Sequence, residues 1–108
     1  MNKNDKELLE LAARAVKLDA FWSVDGSFVV KSGGGMGTIP FEYEWNPLKN
    51  DGDALRLVVF LGLMVRCYHN RIVVEGDLAS VDIEIGQCRY HTTRRAIVKA
   101  AAQIGAAL

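Results

Sequence analysis

Cysteine, histidine and proline each occur only twice in this chain of 108 residues, and neither sign of charge is in excess. Two cysteines, Cys67 and Cys88, are too few to staple a domain of this size with a disulfide framework, so a reduced, cytoplasmic setting is the default. Thirteen basic side chains balance thirteen acidic ones, for a formal net charge of zero. That balance argues against both a broadly cationic DNA binder and a polyanionic mimic of nucleic acid, while leaving local patches open. Long apolar runs are missing too. The longest, Leu57 to Val65, is broken by Gly62 and falls far short of the ~20 residues needed to cross a bilayer. The opening Met-Asn-Lys-Asn-Asp-Lys is polar and runs into an amphipathic helix, so no secretion signal is expected.

Hydrophobic residues make up 50% of the chain and charged residues 24%, interleaved in a way that fits one folded domain over residues 1–108. Asn4 stands three residues before Glu7 in an imperfect capping box. Leu8, Leu11, Ala12, Ala15 and Val16 then recur at helical spacing, which predicts a first helix from about Asp5 to Leu18. Phe21 to Val24 and Ser27 to Val30 flank Asp25-Gly26, a dipeptide suited to a two-residue hairpin turn. The glycine-rich stretch from Ser32 to Thr38 reads as a loop between hairpin and strand. It lacks the Gly-Lys-Ser/Thr and the following helix that a phosphate cradle requires.

Phe41, Tyr43 and Trp45 alternate with Glu42 and Glu44, as in a strand with one aromatic and one acidic face. Two readings follow: the aromatics pack on the core, or they offer an exposed stripe to a partner, since Tyr and Trp are favoured interface anchors. Pro47 stops pairing. Asn50-Asp51-Gly52-Asp53 supplies an N-cap and negative charge where the next helix dipole is positive, and it lacks the further acids of a calcium loop. Leu55, Val58 and Val59 make that second helix, which Gly62 is placed to end.

Met64 to Tyr68 and Arg71 to Glu75 flank a His69-Asn70 turn. That arrangement sets Val65, Cys67, Ile72 and Val74 on one face and Arg66, Tyr68, Arg71 and Glu75 on the other. Val81, Ile83 and Ile85 alternate with Asp82 and Glu84 in the next strand, whose acids would charge-pair the arginine face. Cys67, His69, Cys88 and His91 have the right identities for tetrahedral zinc. Their spacing is not that of a zinc knuckle, and Cys67 falls on the apolar face, so neither a metal nor a Cys/His catalytic pair is predicted. A last helix from about Thr93 to Ile104, capped by Thr92 or Thr93, presents Ala96, Ile97, Ala100, Ala101 and Ile104 as a narrow, small-residue face. Arg89, Arg94, Arg95 and Lys99 gather at its start, where positive charge opposes the helix dipole. This is either a patch for nucleic acid or an acidic partner, or simply solvated arginine.

The chain resembles a set of small proteins encoded by phages and prophages in three places. These are the Glu7-Leu8-Leu9-Glu10-Leu11-Ala12-Ala13 helix, the Trp45-Asn46-Pro47-Leu48 segment with Asp51-Gly52-Asp53-Ala54-Leu55-Arg56-Leu57, and the closing Arg94-Arg95-Ala96-Ile97-Val98. The resemblance implies an accessory gene of a mobile element acting inside a host bacterial cell, and it carries over no catalytic residue.

The expected fold is therefore α+β: helix, hairpin, strand, helix, meander, helix, with about three helices covering one face of an antiparallel sheet. The expected function is non-enzymatic and needs no cofactor. It is the binding of a host or phage protein through Tyr43, Trp45, Asn46, Asp51 and Asp53, with inhibition of a bacterial defence complex as its concrete form. The alternative is a nucleic-acid-associated regulator using Arg89, Arg94, Arg95 and Lys99. An enzyme comes third, because no nucleophile–base pair or carboxylate pair can be assembled.

Overall fold

Asn2, not Asn4, starts the first helix: its side chain accepts from the Asp5 N–H at 2.8 Å, satisfying a backbone donor that the helix itself leaves free. The structure, a computed structural model, describes residues 2–32 and 41–108. Of the glycine-rich loop expected from Ser32 to Thr38, Ser32 ends a strand and residues 33–38 lie outside the described residues. The elements are α1 (Lys3–Ala15), β1 (Ala20–Trp22), β2 (Phe28–Ser32), β3 (Phe41–Glu44), α2 (Asp51–Leu61), β4 (Met64–Cys67), β5 (Arg71–Gly76), β6 (Ala79–Glu84) and α3 (Arg89–Ala106). Their order is the one the sequence predicts, and the fold is α+β. The strands divide into two antiparallel meanders, β1-β2-β3 and β4-β5-β6, with α2 between them in the chain.

Helix α1 ends earlier than expected. Lys17 takes up the left-handed backbone at φ 58°, and Leu18 N–H donates to Ala13 O while Lys17 N–H donates to Arg14 O, a paired closure that satisfies two terminal carbonyls. The first hairpin also differs from expectation. Trp22 pairs with Phe28, and the Ser23 N–H donates to Ser27 O, which leaves Val24, Asp25 and Gly26 as a three-residue loop with Gly26 at φ 89°. The Asp25 carboxylate accepts from the Ser23 hydroxyl and the Ser27 N–H, and these bonds hold its pKa below the ordinary carboxylate value.

The second meander follows the predicted register. Cys67 lies opposite Ile72 and Val65 opposite Val74, while Arg71 bonds Asp82 at 2.9 Å on the outer face. Its inner face, with Ile72, Val74 and Val81 buried, packs under α3.

Helix α3 starts four residues before the predicted Thr93. Thr92 and Thr93 turn their hydroxyls back to the carbonyls of Cys88 and Arg89 from within the first turns, so they are not caps. Thr92 Oγ1 also accepts from the Gly86 N–H, tying down the approach to the helix. The small-residue face is as predicted and wider: Ala96, Ala100, Ala101, Ala102 and Gly105 are all buried. It packs on Leu9, Ala12 and Ala13 of α1. These two helices run in the same direction, with Arg95 on Asp5 at one end (2.9 Å) and Arg14 on the Leu108 carbonyl at the other (3.0 Å). No helix of the described residues is long and apolar enough to cross a membrane.

Candidate functional site

The segment from Trp45 to Asp53 folds as a capped, cross-braced turn. The Asn46 side chain accepts from the Leu48 N–H (3.1 Å) and its carbonyl accepts from Lys49 and Asn50 (3.0 and 2.8 Å), bending the chain around Pro47. Asn50 caps α2 by accepting from the Asp53 N–H at 2.9 Å. Asp53, only 7% exposed, accepts from the Asn46 N–H (3.0 Å) and from Arg56 (3.2 Å). The polar residues that make this stretch distinctive are thus consumed by its own architecture. Trp45 is a correction to the predicted binding set: at 3% exposure it stacks toward Phe28, whose ring lies 6.0 Å away and in turn contacts Trp22 at 4.4 Å. Asn46 and Asp53 are corrections on a different ground, their polar atoms being used within the turn. Asp51 is exposed, but its carboxylate holds Arg94 at 2.8 Å. Of the five, Tyr43 alone presents a ring to solvent, at 38% exposure.

Asp53→Ala tests this bracing. It leaves the Asn46 N–H without its acceptor, and for a part-buried donor the cost falls at the lower end of the roughly 1–3 kcal/mol of a buried orphan. Denaturant unfolding should show that loss.

The predicted basic patch is largely committed to the fold. Arg89 donates to the carbonyls of Tyr68 and His69, both at 2.9 Å, gripping the tip of the β4–β5 hairpin. Arg94 donates to the Leu48 carbonyl (3.0 Å) and to Asp51, and Arg95 binds Asp5. Each of these arginines joins α3 to a different element. Their placement against the helix dipole is therefore offset by tertiary bonds, which the sequence did not reveal because the partners lie 20 to 90 residues away. Lys99 is half-buried further along the helix. Cys67 and Cys88 are both exposed, contrary to the buried thiol expected at Cys67. Among the described residues no three His, Cys, Asp or Glu side chains come together as metal ligands.

Among the concavities of the described residues, two flank α2, one on each side. The first, about 430 Å³, lies between β3 and α2. Phe41, Tyr43 and Phe60 form its walls, Trp45 and Leu57 line it, and Arg56 and Asp53 supply its polar edge. Phe41 and Phe60 are both more than half exposed, and the rings of Phe41 and Tyr43 stand 5.9 Å apart. The second, about 470 Å³, lies among α2, β4 and α3, lined by Leu55, Val58, Val65, Cys67, Tyr90 and Ile97. Phe60 was missed in the sequence because it falls between the two sides of α2. Its helical offset from buried Leu57, three residues before it, sets it toward β3. No protein-family model, no curated protein and no solved structure matches the chain.

Proposed function

We propose that this protein acts by binding a macromolecular partner without catalysing a reaction, and that the groove between β3 and α2 is the docking site. The observation that carries this reading is the convergence of three exposed aromatic rings, Phe41, Tyr43 and Phe60, on one concavity with a charged edge at Arg56. Exposed apolar surface gathered in one place, rimmed by polar groups, is what interface cores are made of. The partner is a protein of host or phage. Inhibition of a bacterial defence complex is the form suggested by the resemblance to phage-encoded proteins and by the small size of the domain. The nucleic-acid alternative draws less support, since Arg89, Arg94 and Arg95 already hold protein groups.

The test is affinity capture from host lysate with the full chain as bait, followed by titration of the captured protein against variants. Tyr43→Ala and Phe60→Ala should each weaken binding by about 2 kcal/mol, roughly thirtyfold. Phe60→Ala should change stability by less than about 1 kcal/mol, because its ring is mostly exposed, and Tyr43→Ala, whose ring is more than half covered, by about 1–2 kcal/mol. Capture that is indifferent to both substitutions would sink the reading. So would submicromolar nucleic-acid binding, steeply weakened by salt, that disappears in an Arg94→Ala, Arg95→Ala double variant.

A further inference from the structure

The two edges of the β4-β5-β6 sheet are finished differently. Tyr68 N–H donates to Arg71 O at 2.9 Å at the hairpin end. Antiparallel alternation from that point turns the peptide groups of Met64 and Arg66 toward β5 and those of Val65 and Cys67 outward. On the opposite edge the same alternation turns Ser80, Asp82 and Glu84 outward. There Gln103 of α3 behaves like one more strand residue: its Oε1 accepts from the Ser80 N–H (2.8 Å) and its Nε2 donates to Ser80 O (3.1 Å). Asp82 and Glu84 put carboxylates along the rest of that edge, which discourages pairing with a copy of itself. On β4, among the described residues, no hydrogen bond closes the outward peptide groups of Val65 and Cys67.

Apolar surface flanks the open edge. Leu55 and Val59, one turn apart on α2, Met64 on β4 and Tyr90 on α3 are each more than half exposed. Leu55 and Tyr90 share the groove that Val65 and Cys67 line. Together the four make a patch on the scale of the roughly 300–600 Å² that is the largest, and often functional, apolar patch of a typical monomer. The strand edge and its rim extend this toward the roughly 800 Å² per partner of a standard-size interface. A formal net charge of zero leaves no overall repulsion between copies.

We propose that two copies of this chain pair through their β4 strands across a twofold axis, joining the β4-β5-β6 sheets of the two copies into one six-stranded antiparallel sheet. Val65 on the axis is the register that fits. It sets Arg66 opposite Met64 of the second copy, whereas a shift placing Val65 opposite Cys67 would set Arg66 against Arg66. An axis normal to the sheet keeps both α2 helices on one side, where their Leu55 and Val59 flanks cover the new junction. The interface is isologous and closed, so assembly stops at two. It lies across α2 from the Phe41, Tyr43 and Phe60 groove and does not depend on that groove's function.

Sedimentation equilibrium of the full chain in reducing buffer, from about 1 to about 100 µM, reads the association directly. The expected mass is twice the 11.9 kDa of one chain. Cys67→Pro removes an outward N–H and leaves the ladder to β5 intact, a placement edge strands tolerate. Val59→Glu sets a carboxylate on the flank of an exposed helix. Each should raise the dissociation constant at least tenfold with the helical circular-dichroism signal retained, and if Cys67→Pro fails to fold, Val59→Glu decides. Tyr43→Ala should leave the mass unchanged, which separates this proposal from the docking groove. A monomer at the highest concentration, growth beyond the dimer, or a dimer indifferent to Val59→Glu would overturn it.

Discussion

Trp45→Ala should cost about 3–5 kcal/mol of stability, the range for removing a large aromatic from a core. Set against the roughly 5–15 kcal/mol that holds a typical domain together, that is about a fifth of the total or more. The melting temperature should fall by roughly 12 °C or more. The indole is 3% exposed and packs toward Phe28, and the Trp45 N–H donates to the Phe28 carbonyl at 2.9 Å, extending the β2–β3 pairing one residue past the strand. Emptying that site leaves a void between sheet and helix next to Leu57, which is itself buried. Tyr43→Ala, two residues earlier on the same face, is the contrast: its ring is far less buried than Trp45, so it should lower the melting curve much less while weakening partner capture. A Trp45→Ala protein that melts normally but loses its partner would restore Trp45 as an interface anchor and displace the groove assignment. Thermal denaturation followed by circular dichroism, run beside the titration, separates the two.

That Trp45 and Tyr43 part company marks the boundary of what periodicity reveals. Alternation places residues 41, 43 and 45 on one face, and they do lie against one groove. It does not say where along the strand the core ends, because that depends on α2 and β2, which cover Trp45 and leave Phe41 open. The register of the β4–β5 hairpin was legible, since a two-residue turn fixes the pairing, but burial was not: Cys67 shares the face of Ile72 and Val74 and is exposed at the open edge. The Asp25-Gly26 hairpin was legible as a hairpin but not in its loop length. The bonds of Ser23 to Ser27 and Gly26 decide that length, and Ser-Val-Asp-Gly-Ser allows either count.

Helix ends were displaced for a related reason. Asn2 and Asn4 are equally good caps by type, and Thr92 and Thr93 are good caps that here sit inside the helix, their hydroxyls returned to carbonyls four residues back. A cap is chosen by where the packed face begins, and α3 is held from Arg89 onward by its grip on the Tyr68 and His69 carbonyls. The arginine cluster looked functional because its dipole cost was visible in the sequence while the compensating contacts, to Asp5, Leu48 and the hairpin tip, were not. Groove walls were the least legible of all. Phe41, Phe60, Leu55 and Tyr90 come from three elements, and only the packing of α2 against its neighbours sorts them into two surfaces.

Gly105→Val should destabilise the protein by more than about 3 kcal/mol, toward the upper end of overpacking costs. A side-chain carbon added at this position would stand 1.9 Å from the Leu11 carbonyl oxygen, 2.8 Å from its carbon and 3.3 Å from the Leu11 Cα. Those atoms are backbone, so no rotamer change relieves the clash and α1 must move away from α3. Such a shift opens contacts along the parallel helix pair, where Ala12, Ala13, Ala101 and Ala102 are buried because the helices run so close. It also pulls on the Arg95–Asp5 and Arg14–Leu108 ties at its two ends. Gly105→Ala is the finer probe. Alanine gains about 1 kcal/mol over glycine from helix propensity alone, so a net loss of stability isolates the steric term. Ala106→Val, on the exposed neighbour, should cost only the propensity difference of well under 1 kcal/mol. Chemical denaturation of the three variants orders them Gly105→Val, Gly105→Ala, Ala106→Val in decreasing cost. If Gly105→Val unfolds no more easily than Ala106→Val, the helices do not approach as closely as described. The small-residue face of α3 would then need another explanation.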